Sequence, residues 1–126
     1  MEAIKVNAMN ESILENVRSA CNLKSDDDAF DSQLIPLINT YLFRSAQAGF
    51  GRKGFSITGD TETWEEFLED GMDASKYEAI KTYVGLRVHL RFDPPQNSAL
   101  LTAMKEDAHE LEWCLYDEAD ICGDIQ

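Results

Sequence analysis

Residues 93–95, Asp-Pro-Pro, constrain this chain more than any other stretch, because they separate two long and strongly patterned segments. KYEAIKTYVGLRVHLR (76–91) runs before them and NSALLTAMKEDAHELEWCL (97–115) runs after. Neither Pro94 nor Pro95 can continue a helix, and the first ring pushes Asp93 toward an extended backbone. Asn97 and Ser98 then offer N-cap side chains to a new helix. The chain turns a sharp corner here, which fixes how the two elements fold back on each other.

The downstream element is the clearer of the two. Leu101, Met104, Ala108, Leu111 and Leu115 step by 3, 4, 3 and 4 residues, the spacing of an amphipathic helix. The upstream element carries two patterns at once. Val84, Leu86, Val88, Leu90 and Phe92 alternate with Gly85, Arg87, His89 and Arg91, as in a strand. Read at helical spacing, Tyr77, Ile80, Val84 and Val88 form one stripe, and Tyr83, Leu86 and Leu90 a second. A helix apolar over so wide an arc would be central, touched on two sides. Period alone leaves strand and helix both open.

Earlier in the chain, residues 1–9 read as a loose lead-in, and Asn10 can cap a short helix to about Ala20. The acidic run SDDDAFD (25–31) announces a second helix, since carboxylates favour the positive end of a helix. Phe30, Leu34, Ile38, Tyr41 and Leu42 form its stripe, and Gly49 ends it. Pro36 means that this helix either begins just before it, near Ser32 or Gln33, or is kinked. GFGRKGFSITG (49–59) reads as a loop, and DTETWEEF (60–67) as a short helix capped by Thr61 with Trp64 at its first apolar position. Asp73 or Ser75 caps the segment that leads to the corner.

A chain of 126 residues with 44% apolar content is expected to form one globular domain. The N-terminus has no signal-peptide pattern and no apolar run reaches membrane-span length, so an intracellular protein is expected. Cys21, Cys114 and Cys122 are odd in number and far apart, which argues for free thiols. The net charge of −13 is unevenly spread, with six acids and no base in 61–75 and eight acids against Lys105 in 94–126. General nucleic-acid binding is excluded, because phosphate affinity needs clustered Lys and Arg.

Catalytic and cofactor motifs are missing in the same way. Gly49-x-Gly51-x-x-Gly54 matches a dinucleotide fingerprint only formally, since it follows a helix and leads away from one. Lys53 precedes glycine rather than Ser or Thr, so this is no P-loop. His89 and His109 lack metal-ligand spacing, and no nucleophile motif surrounds any cysteine. Glu106, Asp107, Glu110 and Glu112 read as a solvated helix face rather than paired catalytic carboxylates. No enzyme, cofactor or metal is expected. Two stretches are instead candidates for contact. The 49–60 loop is either a mobile connector or a flexible display of Arg52 and Lys53 beside Phe50 and Phe55. Trp113, off the apolar stripe among charges, is either a partner anchor or is covered locally by Trp64 or that loop.

Four segments in order give the chain a resemblance to the small head–tail connector (adaptor) proteins of long-tailed bacteriophages. They are LINTYLFRSAQAGFG (37–51), FSITGDTETWEEFL (55–68), LRFDPPQNS (90–98) and HELEWCL (109–115). Cys114 departs from the pattern, since a basic residue is expected after the tryptophan. The resemblance implies an all-α fold, a small bundle of four to five helices, with 84–92 helical. It implies a connector domain over 1–116 and an acidic flexible tail over 117–126. It also implies a ring of about a dozen copies at the head–tail junction of the virion, assembled in the host bacterial cytoplasm. Its partners would be itself, the portal protein and a downstream tail-completion or stopper protein, with DNA passing through unbound. Phe50, Arg52, Lys53, Phe55, Trp64, Arg87, Arg91 and Trp113 are the candidate contact residues, with Asp93, Pro94 and Pro95 as the structural corner. A different class remains open: an acidic regulatory or DNA-mimic protein that binds a basic partner.

Overall fold

Asn22 and Gly49 show where the first two helices stop, because each adopts a positive φ (66° and 101°). At Asn22, its own N–H reaches the Ser19 carbonyl and the next N–H, of Leu23, reaches the Arg18 carbonyl. The same pair of bonds recurs from Gly49 to Ala46 and from Phe50 to Ser45. Both are Schellman ends, in which a left-handed residue returns two amides to otherwise unpaired carbonyls. A computed structural model describes residues 11–68 and 74–116. Within them lie α1 (Ile13–Ala20), α2 (Asp31–Gln47), α3 (Trp64–Phe67), α4 (Ala74–Phe92) and α5 (Ser98–Tyr116). No strand occurs among the described residues; Ser12 and Thr63 make one isolated antiparallel bridge.

The starts of these helices differ in detail from the sequence reading. Ser12 caps α1, its hydroxyl accepting from the Glu15 amide at 3.2 Å, and Asn10 lies outside the described residues. Thr63, not Thr61, caps α3, because only Thr63 stands three residues ahead of a glutamate. Its hydroxyl accepts from the Glu66 amide while the Glu66 carboxylate accepts from the Thr63 amide, a reciprocal capping box. Pro36 lies in the second turn of an α2 that begins earlier, at Asp31. There its missing N–H deprives only the Ser32 carbonyl of its usual intrahelical partner. Helix α4 starts at Ala74, so Ser75 is inside it, while Asp73, the lead-in 1–9, the tail 117–126 and Cys122 lie outside the described residues.

The two-pattern segment is a helix, and it is the centre of the fold. Helix α4 packs against α1, α2 and α5, and Tyr77, Ile80, Tyr83, Val84 and Val88 are buried along it. Partners on several sides place apolar residues at many angles, which is what mimics strand alternation. The ring pairs Phe30–Phe92 (5.3 Å) and Tyr41–Tyr83 (6.1 Å) run in opposite chain directions, so α2 and α4 are antiparallel. Gly85 lets α1 come close: a Cβ there would stand 2.9 Å from the Cβ of Ala20.

Under α1 lies the core's largest side chain. Trp64 is fully buried, and its indole N–H donates to Asn16 Oδ1 at 3.1 Å, which satisfies the ring's one polar atom. Arg18 is also buried, forked onto the Asp31 carboxylate (3.1 and 2.6 Å) with a third bond to the Ser25 carbonyl. The paired carboxylate outweighs burial and holds the guanidinium above its ordinary value. This ion pair ties the end of α1 to the first residue of α2 across the acidic turn.

Candidate interaction surface

The 49–60 loop is laced into the bundle rather than hung from it. Gly51 (φ +108°) is buried beneath the Phe67 ring, where any Cβ would lie 2.3 Å from a ring carbon. Next to it, the Arg52 amide donates to the Phe67 carbonyl (2.8 Å) and Arg52 Nε to the Glu66 carbonyl (2.6 Å). Phe55 packs on Phe67 with centroids 5.4 Å apart, and half-buried Phe50 receives the Lys76 ammonium 6.0 Å from its ring centre. Asn39 clasps Ile57 from both sides, accepting from its amide (2.8 Å) and donating to its carbonyl (3.1 Å). Glu62 accepts from both the amide and the hydroxyl of Thr58. Burial works to raise the Glu62 pKa, but these hydrogen bonds outweigh it and lower the carboxyl below its usual value. Arg52, Lys53 and Gly54 form the exposed tip, while Phe50 and Phe55 serve the core.

Trp64 therefore is not a surface residue. It lies in the core and meets Phe67 edge-on (6.5 Å), which removes it from the set of side chains a partner can reach. Trp113 has the opposite placement, 40% exposed on α5. Between these extremes, Arg87 and Arg91 stand one helical turn apart on α4 and share a cluster with Arg44 of α2. Arg44 lies over Tyr41 and Arg87 over Tyr83, each 5.8 Å from the ring centre. The Glu112 carboxylate of α5 bridges the two guanidiniums, one oxygen to each. Burial lowers the Arg87 pKa, but the Glu112 hydrogen bond and charge prevail and hold it above its ordinary value. Arg91 reaches the Tyr41 hydroxyl at 3.4 Å. Three of the chain's five arginines thus meet where α2, α4 and α5 join, a concentration of positive charge in a protein of net charge −13. The sequence names Arg87 and Arg91, gives no sign of Arg44, and places Glu112 on a solvated helix face. Glu112 is instead half-buried, drawn inward by its pairing with Arg44, 68 residues away, and with Arg87.

The connector 93–97 sets α5 off from α4. The Asp93 amide still bonds the His89 carbonyl (2.8 Å), and Asn97 Oδ1 accepts from the Leu100 amide (3.0 Å), so Asn97 caps α5. Five residues of α4 follow Arg87, about 8 Å of helix, whereas fourteen residues of α5 precede Glu112, about 21 Å. Packed side by side and tied at that ion pair, α5 must extend past the end of α4. Burial follows this geometry. Ala108 and Leu115 are buried and half-buried Leu111 packs on the core cluster, whereas Leu101 and Met104 on the same stripe are half-buried without joining that cluster and Leu100 beside them is 52% exposed. Phe43, off the apolar stripe of α2, is 60% exposed. Its offset from that stripe is a signal the sequence did hold.

These features hold helices together and present side chains. Among the described residues, no group of three or more His, Cys, Asp or Glu side chains is placed to hold a metal ion. Nor is any helix there long and apolar enough to cross a membrane. A family model described as phage connector protein matches residues 13–120. No curated protein matches the chain, and no solved structure does.

Proposed function

The chain belongs to the phage connector protein family, and from that premise we propose that it is a structural virion protein forming a ring that joins the portal of the phage head to the tail. What carries this reading is the family match, which covers all five helices of the described residues. The resemblance implies about a dozen copies, meeting head to tail, since contacts between two different surfaces close into a ring when the rotation per subunit divides a full turn. One rim meets the portal, the other a tail-completion or stopper protein, and DNA passes through the centre. The net charge of −13 per copy supports passage without adhesion, since like charge repels the phosphate backbone.

Within this role the Asp93-Pro94-Pro95 corner sets the angle between α4 and α5, and through it the geometry of the ring. The exposed Arg52–Lys53 tip and the acidic residues 117–126 serve as contacts to the rings above and below. Electron microscopy of the purified protein, with and without portal, tests the assignment. Rings, alone or seated on the portal, are expected; monomers under both conditions would refute it. Deletion of residues 117–126 is expected to spare the fold and abolish portal capture in a pull-down. Neutralising acids that line the lumen is expected to slow DNA ejection.

A further inference from the structure

Four large apolar side chains are exposed among the described residues: Phe30, Phe43, Leu100 and Trp113. Phe30 leans edge-on against Phe92 within the chain. The two most exposed, Phe43 and Leu100, stand on different helices, and each is set beside charge of opposite sign. Phe43 adjoins Arg44, whose side chain stays 45% exposed while it holds Glu112. Leu100 shares its side of α5 with Asp107 two turns on; Lys105 lies one turn beyond Leu101, but Glu106, Asp107 and Glu110 leave the exposed charge of that helix net negative. Leu101 and Met104 lie next to Leu100 on the part of α5 that overhangs the bundle.

We propose that the overhanging first half of α5 in one copy docks its Leu100–Leu101–Met104 edge onto the Phe43–Arg44 face of α2 in the next copy. An apolar edge formed by exposed Leu100 with half-buried Leu101 and Met104 is completed by a second surface. Phe43 offers such a surface, and the cluster of Arg44, Arg87 and Arg91, net positive with the Glu112 carboxylate it holds, meets a helix whose exposed charges are net negative, so the contact is both apolar and charge-matched. A foreign partner would have to supply only one of these halves. Both are present on this chain, which makes a second copy the occupant that uses each of them. The two faces differ, so the contact is head to tail and each copy keeps one free end for the next. This inference rests on the ring reading and specifies its interface.

The test uses Phe43→Asp and Leu100→Asp in the full chain, both at exposed positions, with circular dichroism to show unchanged helicity. Self-association is followed by sedimentation velocity and by electron microscopy with portal. Each substitution is expected to weaken association on the order of a hundredfold, as for loss of a buried anchor. An equimolar mixture of the two variants is the decisive sample. Each variant keeps the half that the other lost, so the mixture forms a two-chain complex and nothing larger. If either variant still assembles like the wild type, or the mixture stays monomeric under the conditions, with or without portal, in which the wild type assembles, this interface is wrong although the ring reading stands. If the wild-type protein itself never assembles, alone or on the portal, both fall.

Discussion

Glu112 and Arg87 are joined across the α4–α5 interface, and the same carboxylate reaches Arg44 on α2, so one side chain ties three helices. Each arginine also lies over a tyrosine, and the two tyrosines meet edge to face. Replacing Glu112 with Gln keeps the shape and removes the charge that both guanidiniums share. A loss of about 1–3 kcal/mol is expected, since a partly buried arginine is left without its counter-charge. Hydrogen exchange is expected to speed up first in the second half of α5. Unchanged denaturation midpoints would show that the bridge adds nothing to stability.

Gly51 and Gly54 both have positive φ, but their surroundings differ. A methyl at Gly51 meets the Phe67 ring, while one at Gly54 meets open space. Gly54→Ala is expected to cost about 1 kcal/mol, from backbone strain alone. Gly51→Ala is expected to cost about 3 kcal/mol or more, because strain and overpacking combine. Equal midpoint shifts in urea would contradict the buried position of Gly51.

Burial pushes the Tyr77 hydroxyl up to about 12, helped by the charges of Glu11, Glu78 and Glu65. Burial likewise raises the Cys21 thiol to about 11, with Asp93 adding to it. Both groups fold in their neutral forms, so their contribution is complete below their unfolded values and is lost as pH climbs through the folded ones. Stability is therefore expected to fall between roughly pH 9 and 12. Tyr77→Phe should flatten that loss; an identical alkaline profile would refute the assignment. At pH 8, alkylation followed by peptide mapping should label Cys114 well before the buried Cys21.

Substituting alanine for both Pro94 and Pro95 tests the corner's proposed role. Pro94 is exposed and Pro95 half-buried, so little packing is lost. The monomer's melting temperature is expected to fall by only a few degrees, about 1 kcal/mol, while ring formation is impaired severalfold. A large melting shift with normal rings would reverse that reading.

How much of this was legible in the sequence depends on how local each cause is. The stripe of α5 and its Asn97 cap are written in consecutive residues, and both appear where the spacing puts them. Helix α4 was ambiguous because three neighbours demand apolar residues at many angles, and because Gly85 serves close approach to Ala20 rather than a turn. Trp64 reads both as the first apolar position of its short helix and as a candidate contact, and its burial depends on Asn16, 48 residues away, to satisfy the indole. The Arg44–Glu112–Arg87 bridge has no local trace at all, since its members come from three helices. Phe43 could have been found, as the one large ring on α2 that breaks the helix's own stripe.

The halfway change along α5 divides the evolutionary freedom of that helix. At Ala108, Leu111 and Leu115 a substitution is judged by the chain's own interior, and a compensating change can arise in the same gene at α2 or α4. At Leu100, Leu101 and Met104 the chain's interior exerts far less control. Drift there is limited by whatever surface covers those residues, and if that surface is Phe43 of an identical copy, each mutation is met simultaneously at every junction. A single nucleotide change there would then alter every junction of the assembly at once, and a compensating change at Phe43, carried by the same gene, would mend every junction at once.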